Sequence, residues 1–471
     1  MGLAKAKQLA FAIEAVPNTA ATLTGADVID LLEGDFEFEQ DFLSREPSGG
    51  SLTTGIQPSG QSRGRITARL DLKGSGVAAT APKLGRMLEA SFFERIDIDH
   101  LNVSSLTEDL VPGDQLTGGT SGATALVAAY IAQTGSAVSV PVIVTSGTFA
   151  GTEALNSALK GNGVATTTAS PLTADQGHAY RPLSSTSMTV DTSAGWSASD
   201  PGSGQGIVVK DGETVVGEAF FISQSTNTVT MEFAWGTIAA GNTLHSKTAG
   251  GVAVSATVAG SPNLTQLKGK TGTAQFIRHR LKRLLTGCRA SFSLEAESGS
   301  AGSVSVTLQG SVQPARDSGQ LVASGPEATT PPRFIAPNGK RGSAHLNGVP
   351  VPTIKVSIDA ANQLVRRQDA NAPEGDAGGA VTGRTPQVSW QIDQVSVNTL
   401  DPMALIRAAT AQRFGFQVGN TSGNRVAVVC PAAQISGMAD DDVDGNSTHT
   451  LTINPRGADL AGDNEVYVCF S

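Results

Sequence analysis

A mainly β fold, written twice in tandem and interrupted by a further β insertion, is what this sequence predicts, and three observations carry that prediction. The 54 glycines of the 471 residues are spread among Ser, Thr, Val and Ala along the whole chain, as in a protein of many short strands and tight turns. Aromatic residues make up only 5%, so the core is built largely from small and β-branched side chains. The third observation is a repeated order of elements. The strand Asp35-Phe36-Glu37-Phe38-Glu39 runs to Leu43-Ser44-Arg45, a Gly/Ser/Pro-rich loop follows, a strand starts at Gly64-Arg65, and a helix opens at Ala81-Pro82. Far downstream, Ile354-Lys355-Val356-Ser357-Ile358 runs to Val365-Arg366-Arg367, then come a Gly/Ala/Asp-rich loop, a strand at Gly383-Arg384, and a helix at Asp401-Pro402. Gly64 lies about 18 residues before Pro82 and Gly383 about 19 before Pro402, which is ordinary loop drift within an internal repeat.

Taken in order, the first unit opens with a strand around Gln8 to Glu14, followed by the Phe36/Phe38 strand and the strand carrying Ile66, Ala68, Leu70 and Leu72. Its helix has Leu84, Met87 and Leu88 at helical spacing, which gives one buried stripe, with Pro82 in the first turn and Thr80 as the expected N-cap. From 102 to 262 the character changes: helix signals nearly vanish, and strands such as Val138 to Val144 and Thr228 to Phe233 suggest a small inserted β-sandwich. The first unit then resumes with Phe276 to Leu285, Ala290 to Ala296, a turn at Ser298-Gly299, and Val304 to Leu308. Its counterparts are Asn424 to Cys430, Ala433 to Met438, a turn through Asp444-Gly445-Asn446, and Thr448 to Ile453. The expected organisation is therefore 1–101 plus 263–312 as the first unit, 102–262 as the insertion, 313–335 as a linker and 336–471 as the second unit.

A net charge of −9 argues against a surface built to grip nucleic acid, whose affinity comes from Lys and Arg, whereas a negative wall lets a polyanion pass without sticking. Cys288, Cys430 and Cys469 stand singly, with no zinc spacing, and read as buried reduced thiols. The apolar run from Leu9 to Ile13 ends at Glu14, too short for a signal-peptide core, and no run approaches the roughly 18 apolar residues of a membrane helix. A cytoplasm-like compartment is expected.

Four phrases, in order, resemble the major tail tube proteins of long-tailed bacteriophages. The first is Arg63-Gly64-Arg65-Ile66-Thr67-Ala68-Arg69-Leu70-Asp71-Leu72-Lys73-Gly74-Ser75-Gly76, leading to Ala81-Pro82-Lys83-Leu84-Gly85-Arg86-Met87-Leu88-Glu89-Ala90. The others are Leu285-Thr286-Gly287-Cys288-Arg289-Ala290, then Val365 to Ala372 leading to Val381-Thr382-Gly383-Arg384-Thr385-Pro386, and finally Thr421-Ser422-Gly423-Asn424-Arg425-Val426. The resemblance covers roughly 1–100 and 265–471; the insertion departs from it and looks like the decorative β-domains some tail tubes display outside.

The resemblance implies two tandem tail-tube folds, each of β-sandwich or barrel strands plus one helix, in a structural virion protein. In that family six such folds form a ring whose strands join into an inner barrel around a DNA channel. With two folds per chain, three chains would make one pseudo-hexameric ring, stacked head-to-tail. The implied partners are further copies of the chain, the tape measure protein and DNA transiently in the lumen, and tail terminator and baseplate proteins at the ends. No membrane is implied. The tail would be assembled in the host cytoplasm. The loops from Glu46 to Arg63 and from Gln368 to Gly383 match those that order on ring stacking, which makes Arg45, Glu46, Arg63, Arg367, Asp369 and Arg384 candidate stacking residues. Glu37, Glu39, Asp71 and Asp393 are the candidate lumen-facing carboxylates.

Sharper chemical signals are weak. Gly269-Lys270-Thr271 ends like a phosphate-binding loop, but Leu264 stands where its first glycine belongs. Asp440 to Asn446 starts like a calcium loop, but Leu451 replaces the bidentate Glu, so a solvated hairpin turn is expected. The basic run Arg278-His279-Arg280-Leu281-Lys282-Arg283 is expected to meet a neighbour's acidic residues or to face outward. No nucleophile phrase or paired-carboxylate frame is present, so neither an enzyme nor a cofactor or metal site is expected. The alternatives are a tail-completion or baseplate-hub ring of the same fold, and a carbohydrate-binding surface protein.

Overall fold

The computed structural model describes residues 7–15, 18–42, 59–183, 188–191, 206–212, 214–225, 228–236, 241–246, 255–257, 270–336, 344–368, 376–457 and 463–471. It is mainly β and divides into two compact units, Met1–Pro182 with Thr271–Ser471, and Leu183–Lys270.

The larger unit begins with strands β1 (Lys7–Ile13), β2 (Val28–Ile29), β3 (Leu31–Phe42) and β4 (Ser59–Asp71), helix α1 (Gly85–Ala90) and strand β5 (Phe93–Leu106). Short strands β6 (Gln115–Gly118), β7 (Thr124–Val127), β8 (Val138–Ser146) and β9 (Ala154–Ser157) follow, and the long β10 (Gly161–Pro182) returns along β5. The second unit holds β11 (Met188–Asp191), β12 (Gly206–Asp211), β13 (Thr214–Ser225), β14 (Thr228–Gly236), β15 (Thr243–Ser246) and β16 (Ser255–Thr257) in one antiparallel sheet of order β11-β14-β13-β12-β15-β16, with Ile207, Val209, Val229 and Leu244 buried. The chain re-enters the larger unit at β17 (Gly272–Arg278), β18 (Leu281–Glu297) and β19 (Ser303–Asp317). It ends with β20 (Ala344–Leu346), β21 (Val349–Pro350), β22 (Thr353–Asp359), β23 (Asn362–Gln368), β24 (Asp376–Arg384), β25 (Gln387–Asp393), α2 (Pro402–Ala408), β26 (Gln412–Val418), β27 (Val426–Val443), β28 (Asn446–Pro455) and β29 (Tyr467–Phe470).

One pattern of pairing occurs twice in the larger unit. In its first half β1 pairs with β17 and β2, β3 with β4, β4 with β19, β19 with β18, and β18 with β17. In its second half β20 pairs with β26 and β21, β22 with β25, β25 with β28, β28 with β27, and β27 with β26. Even the irregularities coincide. The step Leu31/Glu33 against Leu70/Arg69 is matched by Thr353/Lys355 against Ile392/Gln391, and Gly272/Ala274 against Cys288/Leu285 by Gln412/Phe414 against Ala433/Cys430. Bulges at the same steps set the correspondence residue by residue. Gly34 matches Val356, Phe36 matches Ile358, Ala68 matches Trp390, and Leu294 matches Asp440. Gly64 therefore matches Pro386 rather than Gly383, because the second ladder lapses between β24 and β25 at Thr385-Pro386, where proline has no N–H to give.

Each half buries its core between layers, and the two halves fill equivalent space differently. Ala68 and Ala274 stand where the second half has Trp390 and Phe414, whose rings lie 5.1 Å apart. Phe11 and Phe292 in turn stand where it has Leu346 and Met438. The exchanges run in opposite directions, so the larger rings of the second half are offset only in part by its smaller Leu346 and Met438.

Several expectations change. Helix α1 starts at Gly85, not at Ala81-Pro82, and Thr80 does not cap it; tight turns Gly85 N–H to Pro82 O (3.0 Å) and Arg86 N–H to Lys83 O (3.3 Å) precede the first helical turn. A Cβ on Gly85 would lie 1.8 Å from the Tyr180 hydroxyl, so glycine is needed where this helix meets a distant strand. The stripe Leu84, Met87 and Leu88 is buried as expected, and α2 begins where expected, with Asp401 Oδ1 accepting from Ala404 N–H at 2.9 Å. The boundary expected at 101/102 is crossed by β5 without a break, and the separate unit is the shorter 183–270. The expected linker 313–335 is still strand to Asp317, and beyond it packs down. Ser324 N–H reaches Gly25 O (2.9 Å), Gln8 and Leu321 exchange two hydrogen bonds, and Phe334 is buried.

His345 in β20 is fully buried, and desolvation pulls its imidazole from 6.5 down to about 4. Its neutral form contributes full stability above the unfolded value near 6.5, and that contribution is lost as pH falls from there toward 4. Urea unfolding at pH 7.5 and pH 4.5 should show an acid loss larger in the wild type than in His345→Gln, by on the order of 3 kcal/mol. Equal losses in the two proteins would refute the assignment.

Candidate functional site: an eight-stranded sheet with two open edges

Pairing runs without interruption through β3-β4-β19-β18-β22-β25-β28-β27, every neighbour antiparallel. The middle step joins the two halves: Ser293 opposes Asp359, Leu294 Ile358, Glu295 Ser357, Ala296 Val356 and Glu297 Lys355. Strand β18 serves both layers because its bulge between Thr286 and Arg289 turns it from β17 toward β22. Side-chain alternation sorts the faces of the sheet. Ile66, Leu70, Val304, Val306, Leu308, Val356, Ile358, Val388, Trp390 and Ile453 are buried on one face. On the other lie Arg65, Arg69, Ser305, Gln387 and Ser389, all exposed.

All four carboxylates expected to face a lumen fall on that polar face. Glu37 opposes Arg65, Glu39 pairs with Arg63 at 3.0 Å, Asp71 opposes Ser303, and Asp393 opposes Thr448. Asp35, Glu33, Glu295, Asp359 and Asp441 join them at the same parity. Glu37 on β3 and Asp359 on β22 line one cleft of about 500 Å³ on this face together with Arg65, Thr307 and Ser291, with Asn362 and Leu364 of β23 forming another of its walls.

The expected stacking residues are placed unevenly. Arg45, Glu46 and Asp369 lie outside the described residues, and Arg367 lies in β23. Arg63 is tied to Glu39 and to Asp41 (3.4 Å) on the polar face. Arg384 pairs within the chain, with Asp463 and with Glu465 at 2.5 Å.

Two of the sequence phrases meet in space. Gly74 N–H donates to Asn424 Oδ1 (2.9 Å) and Gly76 N–H to Gly423 O (3.0 Å), so the Gly-Ser-Gly turn of the first half is clamped by the Thr-Ser-Gly-Asn loop of the second. A Cβ on Gly74 would stand 2.2 Å from Gly423 O, which is why glycine is needed there. Lys73 and Lys83, flanking this turn, are buried and share Glu327 at 3.4 and 3.2 Å. Although burial lowers the Lys73 pKa, the Asp30 hydrogen bond and the Glu327 and Asp30 charges raise it further, so the ammonium is held.

The remaining motifs are structural. Asp444 (φ 51°) and Gly445 (φ 80°) form a two-residue turn between paired Val443 and Asn446, the hairpin expected of Asp-Gly. His279 (φ 55°) and Arg280 (φ 81°) form the equivalent turn in the basic run, between Arg278 and Leu281, with Arg283 over the Phe36 ring at 4.9 Å. All three cysteines are buried, and burial pushes their thiols up. Sequence reasoning missed Asp97, Asp175 and His178, whose ligand-type atoms lie within 4.8 Å of one another; His178 Nδ1 is 3.4 Å from Asp97, an ion pair when the ring is protonated. Strand pairing sets Asp97 opposite His178, whereas Asp175 lies only three residues before His178, so the sequence carried half of the signal.

No protein-family model matches the chain, and no curated protein does. Among the described residues no helix is long and apolar enough to cross a membrane.

Proposed function

We propose that the protein is the major tail tube subunit of a long-tailed phage or phage-derived particle, each half being one tail-tube fold. The observation that carries this reading is the β18–β22 junction, where one half continues the sheet of the other in an eight-strand run that ends at β3 and the outer part of β27. Such edges invite pairing unless they are closed by another copy. Three chains would contribute roughly 24 strands; at ~4.8 Å spacing and ~40° tilt these close a barrel ~150 Å round and ~48 Å across. Side chains on each wall still leave room for a B-form duplex. The wall would be the polar face, on which carboxylates outnumber cations, so phosphates would slide rather than bind.

Negative-stain microscopy and native mass measurement of the full chain test this. Rings or tubes about 100 Å wide, built from trimers of the 48.0 kDa chain, are expected. Monomers at every protein and salt concentration would overturn it.

A further inference from the structure

We infer that the seam between chains repeats the register of the seam inside the chain, and that it differs from the inner one by bringing carboxylates together. The inference rests on the ring reading above. Residue equivalence converts the β18–β22 ladder into a β27–β3 ladder between two copies: Ala439 opposes Glu37, Asp440 Phe36, Asp441 Asp35, Asp442 Gly34 and Val443 Glu33.

Three observations suit a second copy of this chain as the occupant of these edges. First, both edges are unpaired: β3 pairs only with β4, and beyond Ala433 β27 pairs only with β28 among described strands. Second, β3 exposes apolar side chains at positions the inner seam buries. Phe38 is 53% exposed, whereas its equivalent Ala360 is 3% exposed and donates its N–H to Phe292 O at 3.0 Å. Third, the amide that locks the inner seam has a matching amide on the free edge, which in the single chain donates to Gly60 O at 2.8 Å and would exchange that partner on assembly. Asn362 donates to Ser91 O (2.7 Å) at the end of α1 and to Ala290 O (3.2 Å); its equivalent is Gln40, on β3, whose matching target is the end of α2 in the neighbouring chain.

The charges do not repeat. At the inner seam Lys355 Nζ meets Glu295 at 2.7 Å. Their equivalents between chains are Glu33 and Asp441, with Asp35 directly opposite Asp441. Like charges across a ladder oppose pairing, and salt screens them. Closure of the ring is therefore favoured by added salt, and the chain stays open at low ionic strength. Glu33→Lys would recreate the inner ion pair at the outer seam.

Cysteine pairs read the register, and the three native thiols, all buried, leave a quiet background. Full-length protein carrying Asp35→Cys with Asp441→Cys should oxidise to disulfide-linked dimers and trimers and no larger species. Glu33→Cys or Glu37→Cys with Asp441→Cys represent the smallest slips that keep the faces, two residues each way, and should link at least tenfold less. Rings in which a slipped pair links best, or none links, would overturn the register while leaving the ring reading intact; absence of rings would sink the ring reading itself. Wild-type trimer should gain at least tenfold in association between 20 and 300 mM NaCl, and Glu33→Lys should assemble at the lower salt. A salt response identical in the two proteins would overturn the carboxylate seam.

Discussion

Replacing Glu14 by Ala is expected to remove about 3–5 kcal/mol of stability, the scale for breaking a buried charged network. Glu14 is only 2% exposed, and its carboxylate accepts from Asn18 N–H (2.8 Å), Thr271 Oγ1 (2.8 Å), Thr273 Oγ1 (2.9 Å) and Gly287 N–H (2.8 Å). It therefore ties the end of β1 to the entry of β17 and to the bulge that turns β18 toward the second half. Alanine leaves four donors facing a void, and each buried unsatisfied donor carries its own desolvation cost. Glu14→Gln keeps one acceptor oxygen but sets an NH₂ against donors, so an intermediate loss is expected. Denaturant unfolding followed by circular dichroism checks both; a loss below about 1 kcal/mol for Glu14→Ala would show that water or local rearrangement replaces the carboxylate.

Two deletions should behave in opposite ways. Replacing 184–269 by a flexible linker of ~15 residues removes the separate sheet and leaves every described pairing of the larger unit in place. A soluble protein with a cooperative melt and undiminished ring formation is expected. Removing 102–262 cuts β5 after Leu101 and takes away β10, which pairs with both β5 and the C-terminal strand β29. It also strips Leu126, Ile143 and Ala179 from a cluster shared with Ala427, Val429, Tyr467 and Cys469 of the second half. Tyr180, which packs edge-on to Phe470 at 5.7 Å, is lost as well. With several large side chains exposed at several kcal/mol in total, aggregation is expected. Similar solubility and similar melting of the two deletions would show that the 102–182 segment is an independent module after all.

Much of this architecture was legible locally. The Asp401-Pro402 helix start, the Asp444-Gly445 turn and the Leu84/Met87/Leu88 stripe each rest on residues a few positions apart, and each stands where expected. Glu37, Glu39, Asp71 and Asp393 were candidates without a facing in the sequence, and strand pairing is what puts them on one face of the sheet. The Ala81-Pro82 opening failed because residues 82–86 first form tight turns, and the helix begins only at Gly85. The 102 boundary failed because composition changes there while the backbone ladder does not.

By itself, the amino-acid order determined the tight turns and the repeated order of elements, since these follow from spacing along a few residues. Only the tertiary structure decided that β18 joins β22, that two bulges recur at matching steps, that the connecting segment packs down, and that β3 and β27 end the eight-strand run. Those outcomes depend on which backbone groups find partners hundreds of residues away, and a hydrogen-bonding group carries no local mark of its distant partner.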